Sequence, residues 1–287
     1  MRGLLFGLLI VSNLVISQNT ILWKVTKTNS DKTSYLVGTF HQFGNSFVDS
    51  IPQIQKALLN SELAVFESLD KVEDTRALIN SRPSSNMVEK KLKKKDFKKL
   101  KELSKDWKVD LYKLKPIEIY FKLAQDYQRK ICKTSIPEDT FDLFDDYLLH
   151  LAKINNIETF GLEINQLDEV VHKEFKNSNW KNEKKRISAW INKSISDKLN
   201  SKDCELANTY RKFELSYDFE NKCERNVINS ERNDKWMEVI PDLLRTKSTF
   251  IAVGYYHLRW QCGLIMQLKK EGFIVEPVKI KTNKKEY

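Results

Sequence analysis

Glycine and proline are scarce, with 8 and 6 in 287 residues. A sandwich of many short strands needs a turn residue at each bend, so this scarcity excludes that class and predicts more helix than strand. Cysteine numbers four, and no Cys-x-x-Cys pair occurs, which argues against a cysteine-held zinc. Beyond the N-terminal segment no apolar run approaches the ~20 residues needed to span a membrane. Histidine also numbers only four, so each can be weighed singly. Aromatics are not lacking: 15 Phe, 10 Tyr and 6 Trp exclude general disorder. At 41% hydrophobic, the chain can form one large domain, or a domain with an insertion.

The opening segment, MRGLLFGLLIVSNLVISQNT, has a basic start at Arg2, an apolar stretch from Leu4 to Val11 and small-residue processing after Val15-Ile16-Ser17. That is the layout of a secretory signal peptide. Ser12 and Asn13 interrupt the apolar run too early for a membrane anchor. Residues 1–17 are therefore read as the signal and 18–287 as a single mature domain, exported to the periplasm or secreted. Export permits disulfides among Cys132, Cys204, Cys223 and Cys262. Three full pairings are open, and Cys204 with Cys223, in one helical region, is the first to test.

The net charge of +10 concentrates in Glu89–Lys105, EKKLKKKDFKKLKELSK. Leu92, Leu100, Leu103 and Trp107 recur there at helical spacing, with Phe97 nearby, so the lysines fall on the solvated face of an amphipathic helix. For an exported protein such charge suits an anionic envelope surface, not nucleic acid.

Ile21–Thr26 and Ser34–Thr39 are β-rich runs joined by polar residues and read as a hairpin. A loop through Gly44 and Asn45 leads to a helix from about Pro52, with Ile51, Ile54, Ala57 and Leu58 apolar. Leu63–Leu69 is a mostly apolar and hence central strand. Residues from about 72 to 245 are largely helical, a large insertion broken by a short strand, Ile157–Leu162, that ends at Glu163. Thr249–Tyr255 is a strand, Leu258–Glu271 a helix and Phe273–Ile280 the last strand. The class is α/β with a mixed sheet.

Two pieces of the chain share one order. YLVGTFH is followed by a helix and LAVFESL, and FIAVGYYH by a helix and FIVEPVKI. Each is strand, Gly-x-x-His, helix, strand. Such units pair in parallel with right-handed crossovers, so both motifs should leave the sheet at strand C-terminal ends, where open α/β sheets bind ligands. His41 and His257 should then share one cleft, with Gly38 and Gly254 permitting close backbone approach or an unusual φ. His150, beside Leu148, Leu149 and Leu151, and His172, in a charged helix, read as structural or exposed.

Glu67 is the third member. Among Ala64, Val65 and Phe66 a carboxylate is costly unless paired, protonated or bound to a cation; an edge strand or a salt bridge to lysine is the alternative. With two histidines aimed at the same cleft, a divalent metal is the economical explanation. His41, Glu67 and His257 suit Zn²⁺ with an open water position, and also Fe²⁺, Mn²⁺ or Co²⁺. Glu163, after Gly161, is a candidate base or histidine orienter, or simply an acid favoured by a helix N-terminus. Arg232 is a candidate to bind a substrate carboxylate, to anchor Glu163, or to form a surface salt bridge.

The stretch ILWKVTKTNSDKTSYLVGTFHQFGNSFVDSIPQIQKALLNSELAVFESL resembles the start of the TraB/PrgY/GumN family, which includes the Tiki metalloproteases. ERNDKWMEVIPDLLRTKSTFIAVGYYHLRWQCGLIMQLKKEGFIVEPV resembles its end. In that family two Gly-x-x-His motifs and a Glu form the proposed metal site, matched here by Gly38–His41, Gly254–His257 and Glu67. FGLEINQ resembles its Gly-Leu-Glu…Gln signature at Gly161, Leu162, Glu163 and Gln166, and Arg232 and Asn233 match its Glu-Arg-Asn signature. One departure is Tyr255-Tyr256-His257 with Arg259 following, where many members carry small residues and a further Gly; that bulk would narrow the cleft. The resemblance implies a layered α/β core related to erythromycin-esterase-like and haem-binding ChaN-like folds, and a metal-dependent hydrolase of peptide or related acyl bonds. Two other readings stand beside it. One is a non-enzymatic haem- or metal-binding envelope protein using the same histidines. The other is an envelope interaction protein with a degenerate site. Haem ligation needs no buried carboxylate, so Glu67 discriminates the first two.

Overall fold

The computed structural model describes residues 20–70, 72–163, 178–196, 201–223 and 228–281. The signal segment, Gln166 and His172 lie outside the described residues. Six strands form one mixed sheet: β1 Leu22–Lys27, β2 Ser34–Thr39, β3 Leu63–Ser68, β4 Glu158–Glu163, β5 Thr249–Gly254 and β6 Phe273–Pro277, in the order β4-β3-β5-β2-β1-β6. β1 and β2 pair antiparallel, as the hairpin reading predicts. β2, β5, β3 and β4 pair in parallel. Burial explains the order. Every residue of β5 is buried, as are the first five of β3, so both need neighbours on each side. β4, only half-buried, takes one edge, and β6, antiparallel to β1, takes the other.

Two expectations need correcting here. The first strand–helix–strand unit does not pair its own strands, because the fully buried β5 sits between β2 and β3. The second likewise separates β5 from β6, which pairs with β1.

Between the strands run α1 Asn45–Asp49, α2 Pro52–Leu59, α3 Val72–Ser81, α4 Met87–Lys91, α5 Lys94–Leu103, α6 Pro116–Lys130, α7 Phe144–Ile154, α8 Trp180–Ile195, α9 Glu205–Arg211, α10 Ser230–Trp236, α11 Ile240–Thr246 and α12 Leu264–Lys270. Where a loop is expected at Asn45, α1 forms instead, with the Ser46 N–H donating to Asp139 Oδ1 at 2.7 Å. The single basic helix expected over 89–105 is two, because Leu92 turns to extended backbone between α4 and α5. The final helix starts at Leu264 rather than Leu258. Trp260 adopts φ 65° and its N–H donates to Tyr217 O at 2.8 Å, which holds the preceding segment out of helical register.

The main core packs helices on the sheet around Trp23, Phe47, Phe144, Tyr210 and Trp236. A second, smaller core joins Val88, Leu92, Leu100, Ile119, Leu123, Ile187 and Ile191 within the insertion. No helix among the described residues is long and apolar enough to cross a membrane.

All four cysteines are paired, but not as first expected. Cys132 bonds Cys204 and Cys223 bonds Cys262, with Cα separations of 5.3 and 5.9 Å. Cys204 buries its sulfur beside α6, against Tyr127 and Ala207. Cys223 serves instead to fasten the Trp260 segment. Replacing Cys132 and Cys204 together by serine is expected to lower stability by roughly 2–4 kcal/mol, since the bridge closes a long loop. Urea unfolding checks this.

Candidate functional site

The register of the sheet brings the sequence motifs together. Thr39 pairs with Gly254 across β2 and β5, and Phe66 pairs with Ala252 across β3 and β5. The C-terminal ends of three parallel strands therefore lie side by side, and His41, Glu67 and His257 leave them into one cleft of about 580 Å³. A Cβ built on Gly254 would stand 3.3 Å from Glu67 Oε1, 3.3 Å from His41 Nε2 and 3.7 Å from His257 Cδ2. The three candidate ligands thus surround the space beside one glycine. Gly254 has φ −55°, so close approach, not an unusual φ, is what requires glycine there. At Gly38 a Cβ would come 2.7 Å from Leu258 Cδ1 and 3.3 Å from Tyr255 Cα, which is again close approach.

Both histidines are held by their Nδ1 atoms. His257 is buried, with Nδ1 2.6 Å from Asn233 Oδ1. Asn233 donates its amide hydrogens to His257 O at 3.0 Å and Cys262 O at 2.9 Å, so its Oδ1 faces the ring. His257 Nδ1 therefore carries the proton and Nε2 the lone pair. Burial, seconded by the Arg232 guanidinium, pushes its pKa down to about 3, keeping the ring neutral. His41 is 48% exposed, with Nδ1 2.5 Å from Asp145 Oδ2. The charge of Asp145 pushes its pKa up to about 9. Thr39 donates to the other Asp145 oxygen at 2.7 Å, fixing the carboxylate.

Glu67 is buried and takes the Gly254 N–H on Oε1 at 2.7 Å, just beyond the last rung of the β3–β5 ladder. Its Oε2 takes Arg232 Nη2 at 2.6 Å. Burial raises its pKa, but His257, Arg232, His41 and the Gly254 N–H outweigh that and hold it well below the carboxylate range. Arg232 reaches further, donating to both oxygens of Glu163 at 2.6 and 3.0 Å, and its Nη1 lies 3.2 Å from His257 Nε2. Of its three candidate roles the structure gives Arg232 the anchoring of Glu163, which also accepts Trp236 Nε1 at 3.1 Å. Among the described residues Glu163 makes no hydrogen bond to a histidine. Arg232, Asn233 and Trp236 share one face of α10, and the Trp236 ring lies 4.4 Å from that of His257.

Among the described residues no three His, Cys, Asp or Glu side chains stand ready at metal-ligand spacing. Arg232 stands between them, its N–H groups engaging Glu67 Oε2 and pointing at His257 Nε2. The donor set nevertheless fits a divalent ion. Two imidazoles are oriented through Nδ1 so that Nε2 is left facing the cleft, the orientation metal-binding histidines have. With His41 protonated, as its raised pKa makes it, Glu67, Glu163 and Asp145 against Arg232 and His41 leave one negative charge, and loss of that proton would leave two.

Both tyrosines of the departure line the cleft. Tyr255 turns into the core beside Tyr210 and Tyr217, its hydroxyl donating to Ser216 O, while Tyr256, 42% exposed, lines the mouth. Arg259 pairs with Asp218 outside it. His150 is exposed against Phe141. Sequence reasoning missed Asp145, Thr39 and Trp236. Asp145 was visible only as one of two acids opening α7, which reads as a favourable dipole contact. Asp145→Asn is expected to weaken metal binding about 10–100-fold, the usual effect of losing a histidine orienter. Titration of the purified variant with Zn²⁺ checks it.

No curated protein and no solved structure matches the chain. The TraB/PrgY/gumN family model matches residues 21–277, from the approach to β1 through the end of β6, and so takes in the whole sheet and both Gly-x-x-His motifs. The chain belongs to the TraB/PrgY/gumN family.

Proposed function

We propose that this protein is an exported, metal-dependent hydrolase of peptide or related acyl bonds, akin to the Tiki-type metalloproteases. The observation that carries the reading is the pair of Nδ1-anchored histidines, held by Asp145 at 2.5 Å and Asn233 at 2.6 Å, flanking the carboxylate of Glu67 beside Gly254. His41, His257 and Glu67 would hold the ion. A divalent metal supplies a bound water of lowered pKa and polarises a substrate carbonyl.

The chain's own residues do the rest. Phe40, Leu143, Leu149 and Tyr256 line the cleft with apolar surface that can seat a substrate side chain and exclude water from the polar floor. Arg232 bonds the carboxylates of both Glu67 and Glu163 in a buried setting and steadies the Glu67 carboxylate at the strand end. The pairing of all four cysteines supports an oxidising compartment, and with it the reading of residues 1–17 as a cleaved signal. Mature protein is expected to begin near Gln18 or Asn19. N-terminal sequencing of exported material tests this, and an intact Met1 on cytoplasmic protein would contradict it.

The test of function is metal content of the mature protein followed by metal-dependent cleavage of a peptide library. Cleavage that chelation abolishes and metal restores is expected. Tight metal retention with no cleavage would favour the binding-protein reading instead.

A further inference from the structure

The metal site leaves the basic insertion unexplained. Residues 89–105 hold nine lysines and three acids, and folding does not neutralise them. Asp96 is buried and accepts from Ser188 of α8 at 3.0 Å. Glu102 pairs with Lys105 at 2.5 Å. The same seam carries a second bond, Lys99 Nζ to Asn192 Oδ1 at 3.2 Å. Contacts 96–188 and 99–192 advance together, so α5 and α8 run side by side in the same direction.

α8 brings its own cations to this seam. Lys184 precedes Ser188 by one turn and Lys181 lies a further turn back, with Lys185 adjacent. Glu183 is buried and takes Arg186 at 3.0 Å, while the Arg186 guanidinium lies 3.8 Å from the Tyr120 ring centroid. The one arginine is thus engaged internally. Lys94, Lys95 and Lys98 on α5, with Lys181, Lys184 and Lys185 on α8, are all exposed, and no ion pair engages them among the described residues. The apolar faces of both helices close the insertion's small core beneath them.

We infer that this two-helix lysine face is a docking surface for an anionic phospholipid bilayer. Charge complementarity selects the sign of the partner, and the chemistry of the cations selects its kind. Lysine is a compact, hydrated point charge on a flexible stem, whereas a discrete carboxylate or phosphate site favours the bidentate fork of arginine. A dispersed set of lysines along an α5 of about 15 Å matches a fluid array of lipid headgroups, which rearrange beneath the cations. Clustered basic residues on amphipathic helices bind anionic leaflets in this way. The surface is independent of the metal site, so it stands whether or not the hydrolase reading does.

The test uses purified mature protein with both disulfides intact. Its binding is measured by co-sedimentation with phosphatidylcholine vesicles containing roughly a third phosphatidylglycerol, which gives the surface a negative potential. Binding is expected at low salt, none to pure phosphatidylcholine, and steep loss as salt shortens the screening length. At about fivefold per lysine near an anionic surface, Lys95→Gln, Lys98→Gln and Lys184→Gln together should weaken binding about 100-fold. A control triple, Lys56→Gln, Lys153→Gln and Lys270→Gln, changes net charge equally on other exposed positions and should bind as the parent does. Equal loss in both triples would overturn the proposal, because net charge alone would then be acting. So would failure to bind anionic vesicles at low salt. Capture on a poly-glutamate matrix without vesicle binding would assign the face to an acidic polypeptide and overturn it as well.

Discussion

Glu67→Gln is expected to lose bound metal and hydrolysis together, each by more than about 100-fold, in a chain that still folds. Residues that merely orient a ligand cost about 10–100-fold when removed, so the ligand itself should cost more. The two oxygens of Glu67 have separate duties, one toward the Gly254 N–H and one toward Arg232. Glutamine keeps the volume but turns one acceptor into a donor, which must then face another donor. That mismatch costs about 1–3 kcal/mol, enough to see in a melting curve and too little to unfold a domain of this size. The larger effect is charge, because only Glu163 and Asp145 would remain to balance Arg232 and a divalent ion. Glu163→Gln should behave differently, reducing turnover with less effect on metal content, because Glu163 acts through Arg232. Metal content, cleavage and melting can be read on the same preparations. If both variants keep full metal and full activity, these carboxylates have been assigned wrongly.

Arg232→Met should destabilise the metal-free protein by about 3–5 kcal/mol, the usual result of removing one partner from a buried ionic set. Arg232 is 7% exposed and is shared between Glu67 and Glu163, both also largely buried. Methionine replaces the stem and leaves two carboxylates facing each other without a cation. For a chain of this length the loss corresponds to a melting point lower by roughly 6–20 °C. Added Zn²⁺ should then narrow the gap between variant and parent, because an ion that binds the folded site supplies the missing charge and stabilises by mass action. A melting point unchanged by the substitution would mean that the guanidinium does not stabilise these two buried carboxylates.

Much of this site was legible in the sequence because its parts stand on strands. Apolar runs ending in Gly-x-x-His fix both a strand and where it stops, and Glu67 is conspicuous as the one acid in LAVFESL. Parallel pairing then requires His41 and His257 to emerge at the same sheet edge, and the register of Thr39 with Gly254 places them there. What the residues did not disclose depends on contacts distant in sequence. Asp145 meets His41 across 104 positions, and nothing local to α7 distinguishes it from Asp146. The insertion of β5 between β2 and β3 follows from burial on both faces, which apolar composition suggests without naming the neighbours. Cys132 and Cys204 meet only in the small cluster with Tyr127 and Ala207, and Cys223 meets Cys262 only beside the Trp260 segment, so spacing along the chain pointed to Cys204 and Cys223 instead.

The central claim is that His41, Glu67 and His257 share one divalent ion. Elemental analysis of the mature protein, loaded with Zn²⁺ and dialysed, tests it most directly when run beside His41→Ala and His257→Ala. The account predicts one bound ion per chain in the parent and close to none in either variant, with all three proteins melting cooperatively. Equal metal in parent and both variants, or a folded parent that retains none, would contradict it.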